Sequence, residues 1–502
     1  MACVTPARRV DGRDITTLEG LPDSQRTVWA EGLVATGGSQ CGFCTPGIVM
    51  RLAALEGAAP VPDDKVEQAL LAHLCRCTGW QTITEAARVV LGEVVADGAS
   101  AGGGPAQTVD RDQEAAAERA ALEGGVLQRV GTNVVLGDAG FADDGCPADA
   151  LVAVVAVGDG DGDGDGDGDG DGYAVAESLA AARALAGKVQ GRSTTVPLSH
   201  PVEVPDGTWA LTLATTWVEP AYLEPDASWC VPGGDPASPY GNGGSFGGKL
   251  HSPVAADARR LADKHGRPVR VLWSREDVVR MGPKRPPVAA GIHADGTGVL
   301  RVAVSGVPLV GDAWEICLAQ VSAVAPGLVV EQVIVPGPPV SLDLRAAIWA
   351  EAAVLAAAAR FGTVGESVVD IPVEVVSPAG GRAVVRCSAD GRLDIEVAAG
   401  SVLDAVVLRS YVIGAAHQAL GWVRSEGIAV SAEGTVQDLT VRSFGILQAR
   451  AVPRVTVRII DDPEASAVNG SDAVFAAVAA ARWLADGLAP TWPVDRAGAG
   501  RR

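Results

Sequence analysis

Three apolar stripes at helical spacing mark the first part of the chain. Ile48, Val49, Leu52 and Leu55 follow Thr45-Pro-Gly, with Pro46 at a first-turn position where a missing N–H costs nothing. Val66, Leu70 and Leu71 make a second stripe, and Ile83, Ala86 and Val90 a third, entered through the turn Thr78-Gly79. The pattern predicts a small helical bundle. Beyond Gly92 it lapses, and Asp97 to Pro105 has the glycine, alanine and serine content of a linker. Ordered patterning resumes near Leu127. The unbroken apolar run Leu151 to Val157 reads as a strand, and Ala176 to Val189 as helical. Ala346 to Ala359, interrupted by Glu351, reads as a buried helix. Ala473 to Leu484 is another apolar run, with Ser471 or Asp472 placed to accept from its first free N–H groups as a helix N-cap.

Length and composition enlarge this picture. A chain of 502 residues suggests roughly three domains. With 48% hydrophobic residues it is globular rather than disordered. The net charge of -21 argues against nucleic-acid binding, which draws on clustered Lys and Arg. Part of that charge is local, since the alternating Gly-Asp run from Gly158 to Gly172 carries seven Asp, leaving -14 elsewhere. Calcium-binding repeats of similar composition need an apolar residue in each turn, and this run has none, so a solvated loop expansion is expected. No stretch is apolar and long enough to span a membrane, and no basic-then-apolar signal opens the chain. These features lead to the expectation of a soluble, cytoplasmic protein.

Nine cysteines in a chain of this kind do not suggest a disulfide scaffold, so spacing decides their use. Four form two tight pairs, Cys41-Gly-Phe-Cys44 and Cys75-Arg-Cys77. Structural zinc usually takes two to four residues between paired cysteines, whereas the second pair has one. A 2Fe-2S cluster needs four thiolates, two per iron, and is the better reading of metal ligands Cys41, Cys44, Cys75 and Cys77.

The strings Gln40-Cys-Gly-Phe-Cys-Thr-Pro-Gly47 and Leu74-Cys-Arg-Cys-Thr-Gly79 resemble the second iron-sulfur domain of the xanthine dehydrogenase family of molybdenum hydroxylases. The resemblance implies a cluster beside a molybdopterin, with Gln40 and Cys77 touching the pterin. Ala2-Cys-Val-Thr-Pro-Ala7, followed by Val10-Asp-Gly-Arg13 and Thr16-Thr-Leu-Glu-Gly20, is similar to the last strand of the family's plant-type ferredoxin domain, whose other three ligands would lie upstream of Cys3. Cys146, Cys230, Cys317 and Cys387 lack partners at ligand spacing and read as ordinary thiols. Val130-Gly and Phe141-Ala-Asp-Asp144 resemble the entry domain of the family's molybdenum subunit.

Three further strings extend the likeness. Thr216-Trp-Val-Glu-Pro-Ala-Tyr-Leu-Glu-Pro-Asp226 resembles a strand leading toward the active site. Gly243-Gly-Ser-Phe-Gly-Gly-Lys249, with Arg267-Pro-Val and Ser274-Arg-Glu-Asp277 downstream, resembles the glycine-rich cofactor loop, which implies cofactor roles for Gly243, Gly244, Phe246, Gly247 and Gly248. Val412-Ile-Gly-Ala-Ala-His-Gln-Ala-Leu-Gly-Trp422 resembles a pterin-contacting segment and puts Gln418 at a cofactor position. His251 and His417 have no metal-spaced neighbour.

The departures are equally specific. Leu250 stands where the family has a glutamate, and Arg345 is followed by Ala346-Ala-Ile-Trp349 instead of a glycine turn. The family's catalytic glutamate lies in a Gly-x-Gly-Glu string, whereas the matching region reads Val468-Asn-Gly-Ser-Asp-Ala-Val474, with Asp472 the nearest carboxylate. Asp472 is thus the candidate base, one methylene short.

The expected fold class is a multidomain α+β protein: a helical 2Fe-2S bundle followed by α/β hammerhead-like and molybdopterin-binding-like domains. The expected boundaries are 1–22 for the ferredoxin remnant, 23–96 for the cluster domain, 97–124 for a linker and 125–205 for the hammerhead-like unit. A shortened molybdopterin-binding-like region covers 206–495, and 496–502 is a tail. Two functions are implied. One is a redox subunit that passes electrons from a molybdopterin centre through the cluster as an N-heterocycle or aldehyde is hydroxylated. The other is a non-catalytic paralogue that assembles with a complete enzyme. Flavin-binding or complete molybdenum subunits would be its partners and a small molecule its substrate, with no role for nucleic acid or membrane.

Overall fold

The computed structural model describes residues 7–57, 61–92, 111–156, 172–187, 196–240, 244–437 and 439–495. Cys3, Gly243, the Gly-Asp run up to residue 171, the first part of the expected linker and the tail 496–502 lie outside the described residues.

Four helices form the first unit: α1 (Asp23–Thr36), α2 (Thr45–Ala53), α3 (Asp63–Leu70) and α4 (Gln81–Leu91). The stripe residues face one another, and Ile48, Val49, Leu52, Val66, Leu70 and Ile83 are buried with Trp29, Leu33 and Trp80. Burial of each large apolar side chain contributes about 1.5–3 kcal/mol, so this core is a substantial source of stability. Pro46 falls in the first turn of α2. Gly37 closes α1 in the left-handed conformation, releasing the chain toward Cys41.

The expected linker over 97–124 is too long at its C-terminal end. Residues Gln113–Gly124 form helix α5, whose Asp112 cap accepts from Glu114 N (2.9 Å) and Ala115 N (3.1 Å). Arg119 in its middle is fully buried, bonded to Glu123 (3.0 Å) and to the carbonyls of Val402 (3.1 Å) and Val468 (2.7 Å). A helix with a buried ion pair reaching residues near 400 and 468 is docked structure. A short helix α6 (Thr132–Val135) follows and adds Val135 to the bundle core.

The apolar run at 151 forms β1 (Leu151–Val155), which pairs with β2 (Tyr173–Ala176). The helix expected over 176–189 starts later, as α7 (Leu179–Leu185), because Ala176 ends β2 and Ser178 caps the helix by accepting from Ala181 N. Next come β3 (Leu211–Thr215), β4 (Ala227–Cys230), α8 (Val254–His265), β5 (Val269–Leu272) and α9 (Arg275–Met281). The first sheet runs β2-β1-β5-β4, with β1 parallel to β5. A boundary at 205 therefore cuts through a sheet, since two strands alone would bury too little.

The segment Thr216–Asp226 is not the expected strand. It makes only isolated bridges, Trp217 with Ile428 and Val218 with Arg285. Pro220 and Pro225 lack ladder donors, Ala221 has a positive φ of 56°, and buried Glu219 and Asp226 turn to side-chain partners.

The remainder comprises β6 (Val288–Ile292), β7 (Gly298–Ser305), α10 (Asp312–Val324), β8 (Leu328–Val335), α11 (Trp349–Phe361), β9 (Val373–Val376), β10 (Arg382–Cys387), β11 (Leu393–Ala398) and α12 (Ala405–Arg424). It ends with α13 (Val441–Phe444), β12 (Val455–Ile460), α14 (Ser471–Ala485) and β13 (Thr491–Trp492). These strands make the sheets β13-β3-β6-β7-β8 and β12-β11-β10-β9. One core unites them, with α11, α12 and α14 contributing Ala-rich faces that allow close approach. The architecture is mixed α/β and multidomain, and α12 brings its middle against the first unit's cysteine loops.

Candidate metal centre and cofactor site

Cys41 and Cys44 occupy the turn between α1 and α2, and Cys75 and Cys77 the loop between α3 and α4. The structure groups them as two touching pairs. Cys41 Sγ lies 3.4 Å from Cys77 Sγ, and the Cys44 thiol hydrogen-bonds to Cys75. Among the described residues no three His, Cys, Asp or Glu side chains are placed to hold a single ion. Two pairs of thiolates suit a binuclear cluster with two ligands per iron.

The local electrostatics separate the four sulfurs. The hydrogen bond to Cys75 and burial raise the Cys44 thiol, and the corresponding bond to Cys41 and burial raise that of Cys77. Cys75 is pushed down to about 6, chiefly by the hydrogen bond from Cys44, helped by the Thr78 hydroxyl at 3.1 Å. Cys44 also sits at the N-terminus of α2, where the helix dipole favours an anion. Cys230, Cys317 and Cys387 lie in apolar surroundings that raise their thiols, away from these pairs.

A second group of residues meets the same loops. Gln40 Nε2 donates to the carbonyl of Cys77 (3.1 Å) and to Ser410 Oγ (2.8 Å). Gly414 of α12 lies so close to Cys77 that a Cβ would overlap its carbonyl oxygen. Gly244 has φ +80°, and a Cβ there would stand 2.9 Å from Cys77 Sγ. The glycine-rich loop thus reaches the cysteine sulfurs because it lacks side chains. Gly247 turns with φ +90° against the Asp343 carbonyl, and Gly248 packs on Pro220 and Tyr222.

Arg345 joins this loop to the candidate base. Its amide donates to the Phe246 carbonyl (3.1 Å), and its guanidinium lies 4.4 Å from the Phe246 ring centroid. The guanidinium donates to Asp472 Oδ1 (2.9 Å), Gln418 Oε1 (3.0 Å) and Ser471 Oγ (2.6 Å). Gln418 in turn donates to the Arg76 carbonyl (3.1 Å), between the two cysteines of the second pair. Gln40, Cys77, Gly244, Phe246, Arg345, Gln418 and Asp472 therefore form one connected site. After Arg345 the backbone still takes the form a glycine turn would, with positive φ at Ala346 (53°) and Ile348 (71°). Leu250 is partly exposed.

Neither Ser471 nor Asp472 caps α14 as expected. Asn469 Oδ1 accepts from Asp472 N (2.9 Å), and Glu123 of α5 accepts from Gly470 N (3.1 Å) and Ser471 N (2.9 Å). The Asp472 carboxylate is thereby left to Arg345. Sequence reading missed Glu123, although an Asp cap at 112 with Ala116, Ala120 and an Arg119–Glu123 spacing of four was the available signal. His417 is buried in α12, with Nε2 against the Leu447 carbonyl (3.0 Å), and His251 is exposed beside Asp343 (2.7 Å).

The group fits a pterin cofactor chemically. Amides, a guanidinium, a hydroxyl and glycine backbone belong to one hydrogen-bonded group beside Cys77, donor types that oxo, phosphate and ring-nitrogen acceptors use, and in this structure the Gln40 and Arg345 donors are engaged by protein acceptors. A cavity of about 20 Å³ lies against Gln40, Gln128, Arg129, Ser410 and Tyr411, room for one water.

Comparison with known proteins gives an independent view. Residues 17–88 match the family model described as a [2Fe-2S] binding domain. The chain is 44% identical over 87 residues to a probable xanthine dehydrogenase subunit of Bacillus subtilis, covering 17% of this chain and 50% of that protein. It is 42% identical over 94 residues to the nicotine 6-hydroxylase small subunit of Paenarthrobacter nicotinovorans, covering 18% and 57%. It is 43% identical over 105 residues to a xanthine dehydrogenase of Emericella nidulans, covering 20% and 8%. The chain thus spans about half, or far less, of these relatives. In fold it is similar to the aldehyde oxidoreductase of Desulfovibrio gigas, with a TM-score of 0.60 at 14% identity over 97% of this chain and 93% of that one. The Desulfovibrio desulfuricans enzyme gives 0.60 at 12%, over 93% and 89%.

Proposed function

We propose that this chain belongs to the xanthine dehydrogenase family of molybdenum hydroxylases, as a redox subunit whose Cys41, Cys44, Cys75 and Cys77 hold a 2Fe-2S cluster. The observation that carries this reading is the arrangement of the four thiols as two pairs, with Gln40 and Gln418 bonded to carbonyls of the second pair's loop. Gln40, Gly244, Phe246, Arg345 and Gln418, with Gly243, Gly247 and Gly248 of the same loop, would hold molybdopterin. When bound, that group supplies the two-electron oxidation of an N-heterocycle or aldehyde, with water as the oxygen source. The chain's own residues orient and insulate: Arg345 and Gln418 fix the acceptors they bond, Phe246 shields the guanidinium from water, and the loop glycines admit close approach to Cys77. Electrons would leave the cluster one at a time for an acceptor such as a flavin-binding partner chain, and a complete molybdenum subunit, where one assembles, would stand on the donor side. The cluster unit would cover 23–96, and the hammerhead-like 125–205 and molybdopterin-binding-like 206–495 regions would share the sheet in which β1 pairs with β5.

A specific observation favours a second reading, the non-catalytic paralogue. Asp472 Oδ1 already accepts from the Arg345 guanidinium, so the candidate base is engaged with a cation instead of being aimed at a substrate proton. The isolated chain is expected to turn over purines and aldehydes very slowly or not at all.

Two measurements test these readings. Purified anaerobically, the protein should carry two irons and, once reduced, give one 2Fe-2S resonance that disappears in Cys75→Ser. One zinc and no iron would sink the assignment. Iron and molybdenum near two to one supports the redox subunit, and iron without molybdenum supports the paralogue. In a molybdenum-loaded preparation with its partners, robust turnover that collapses in Asp472→Asn at unchanged melting temperature would overturn the non-catalytic reading.

A further inference from the structure

Arg76 stands between Cys75 and Cys77 and is 5% exposed. Its guanidinium is met by Glu426, which is fully buried, through two bonds: Nη1 to Oε1, and Nη2 to Oε2 at 2.8 Å. Nε donates to the Pro220 carbonyl (2.9 Å), and the Phe444 ring lies 5.8 Å from Cζ. Glu426 comes from the turn after α12, tucked against Gly421, where a Cβ would overlap its carboxylate. The Arg76 charge is felt by Arg275, itself paired with Glu219, and by His417, whose protonated forms it disfavours. Burial raises the Glu426 carboxyl, and Arg76 opposes that rise.

Stability alone is a poor explanation for this pair. Two charges taken from water recover little beyond their desolvation cost, and an apolar pair would serve as well. Position is more telling, because a fixed positive charge beside a cluster favours its reduced, more negative form. We propose that Glu426 is the positioning and charge-cancelling partner of Arg76, holding the Cys75–Cys77 loop and keeping the cluster's reduction potential lower than an unpaired guanidinium would allow. The inference rests on the assignment of the four cysteines to a 2Fe-2S cluster. Reduction adds one electron to the cluster and no proton is required.

The test is a redox titration of the full-length, cluster-loaded protein with dithionite, followed by electron paramagnetic resonance. Glu426→Gln removes the cancelling charge. At the wild-type midpoint its reduced-to-oxidised ratio should rise on the order of tenfold, about 59 mV for a one-electron couple. Arg76→Gln/Glu426→Gln removes both charges and should return close to the wild-type potential. Should Glu426→Gln fail to accumulate, Glu426→Asp, which withdraws the carboxylate by one methylene, should give a smaller rise of the same sign. A merely structural role would lower the melting temperature and leave the potentials of all three variants alike, which overturns the proposal. Wild-type protein without iron would overturn the cluster assignment and the inference together, whereas an iron-loaded protein with an unmoved potential overturns only the inference.

Discussion

His417 carries a pH dependence that follows from its burial. The ring is fully buried in α12, with Nε2 3.0 Å from the Leu447 carbonyl. Burial pushes it down to about 4, with Arg76 adding to the depression and the Leu447 carbonyl working against it. In the unfolded chain it titrates near its ordinary value of about 6.5, so between about 6.5 and 4 the unfolded state binds the proton that the folded state refuses. The stability from keeping this ring neutral is complete above that window and declines as pH falls through it, by roughly 3 kcal/mol in all. Denaturant unfolding at pH 7 and pH 4.5 should show a smaller acid loss in His417→Leu than in wild type. Equal losses would remove His417 from the account. At this scale the sequence was most legible for the cysteines, because ligand spacing is local. Arg345, Gln418 and Asp472 were located through motif likeness, but their mutual bonds join positions more than fifty residues apart and no local pattern encodes them.

Among the elements, α5 departs furthest from expectation. Its alanines gave too weak an apolar stripe to stand out after a glycine-rich stretch, yet it buries Arg119 and supplies Glu123 to the N-terminus of α14. That carboxylate neutralises Arg119 and satisfies two backbone donors at once. Glu123→Ala should cost about 3–5 kcal/mol, since it leaves a buried guanidinium uncompensated and a helix end without its acceptor. An unfolding free energy within about 1 kcal/mol of wild type would show that water or another carboxylate takes over. The helices α2, α3 and α4, by contrast, were legible in outline, because each combines a 3.6-residue period with a nearby turn residue. The segment from Thr216 misled because the strand was inferred from motif likeness alone, while its two prolines and buried carboxylates are committed to irregular contacts.

The molecule as a whole is mixed α/β, and no helix among the described residues is long and apolar enough to cross a membrane. Its multidomain character was legible from length and pattern, but the sheet β2-β1-β5-β4 was not, because strand partners distant in sequence leave no mark on either strand. Divided at residue 205, the C-terminal piece should be insoluble when produced alone, since β5 loses β1, and recover when both pieces are made together. Soluble, folded protein from the second piece alone would contradict this. The same sheet has a consequence for synthesis. β1 and β2 leave the ribosome well before β5, which begins at Val269, and at about 5–20 residues per second that delay is on the order of ten seconds. For that interval the nascent chain presents an unpaired, apolar β1 edge, the kind of surface that holding chaperones recognise, while the cysteine-bearing bundle upstream already has its full set of helices for metal loading.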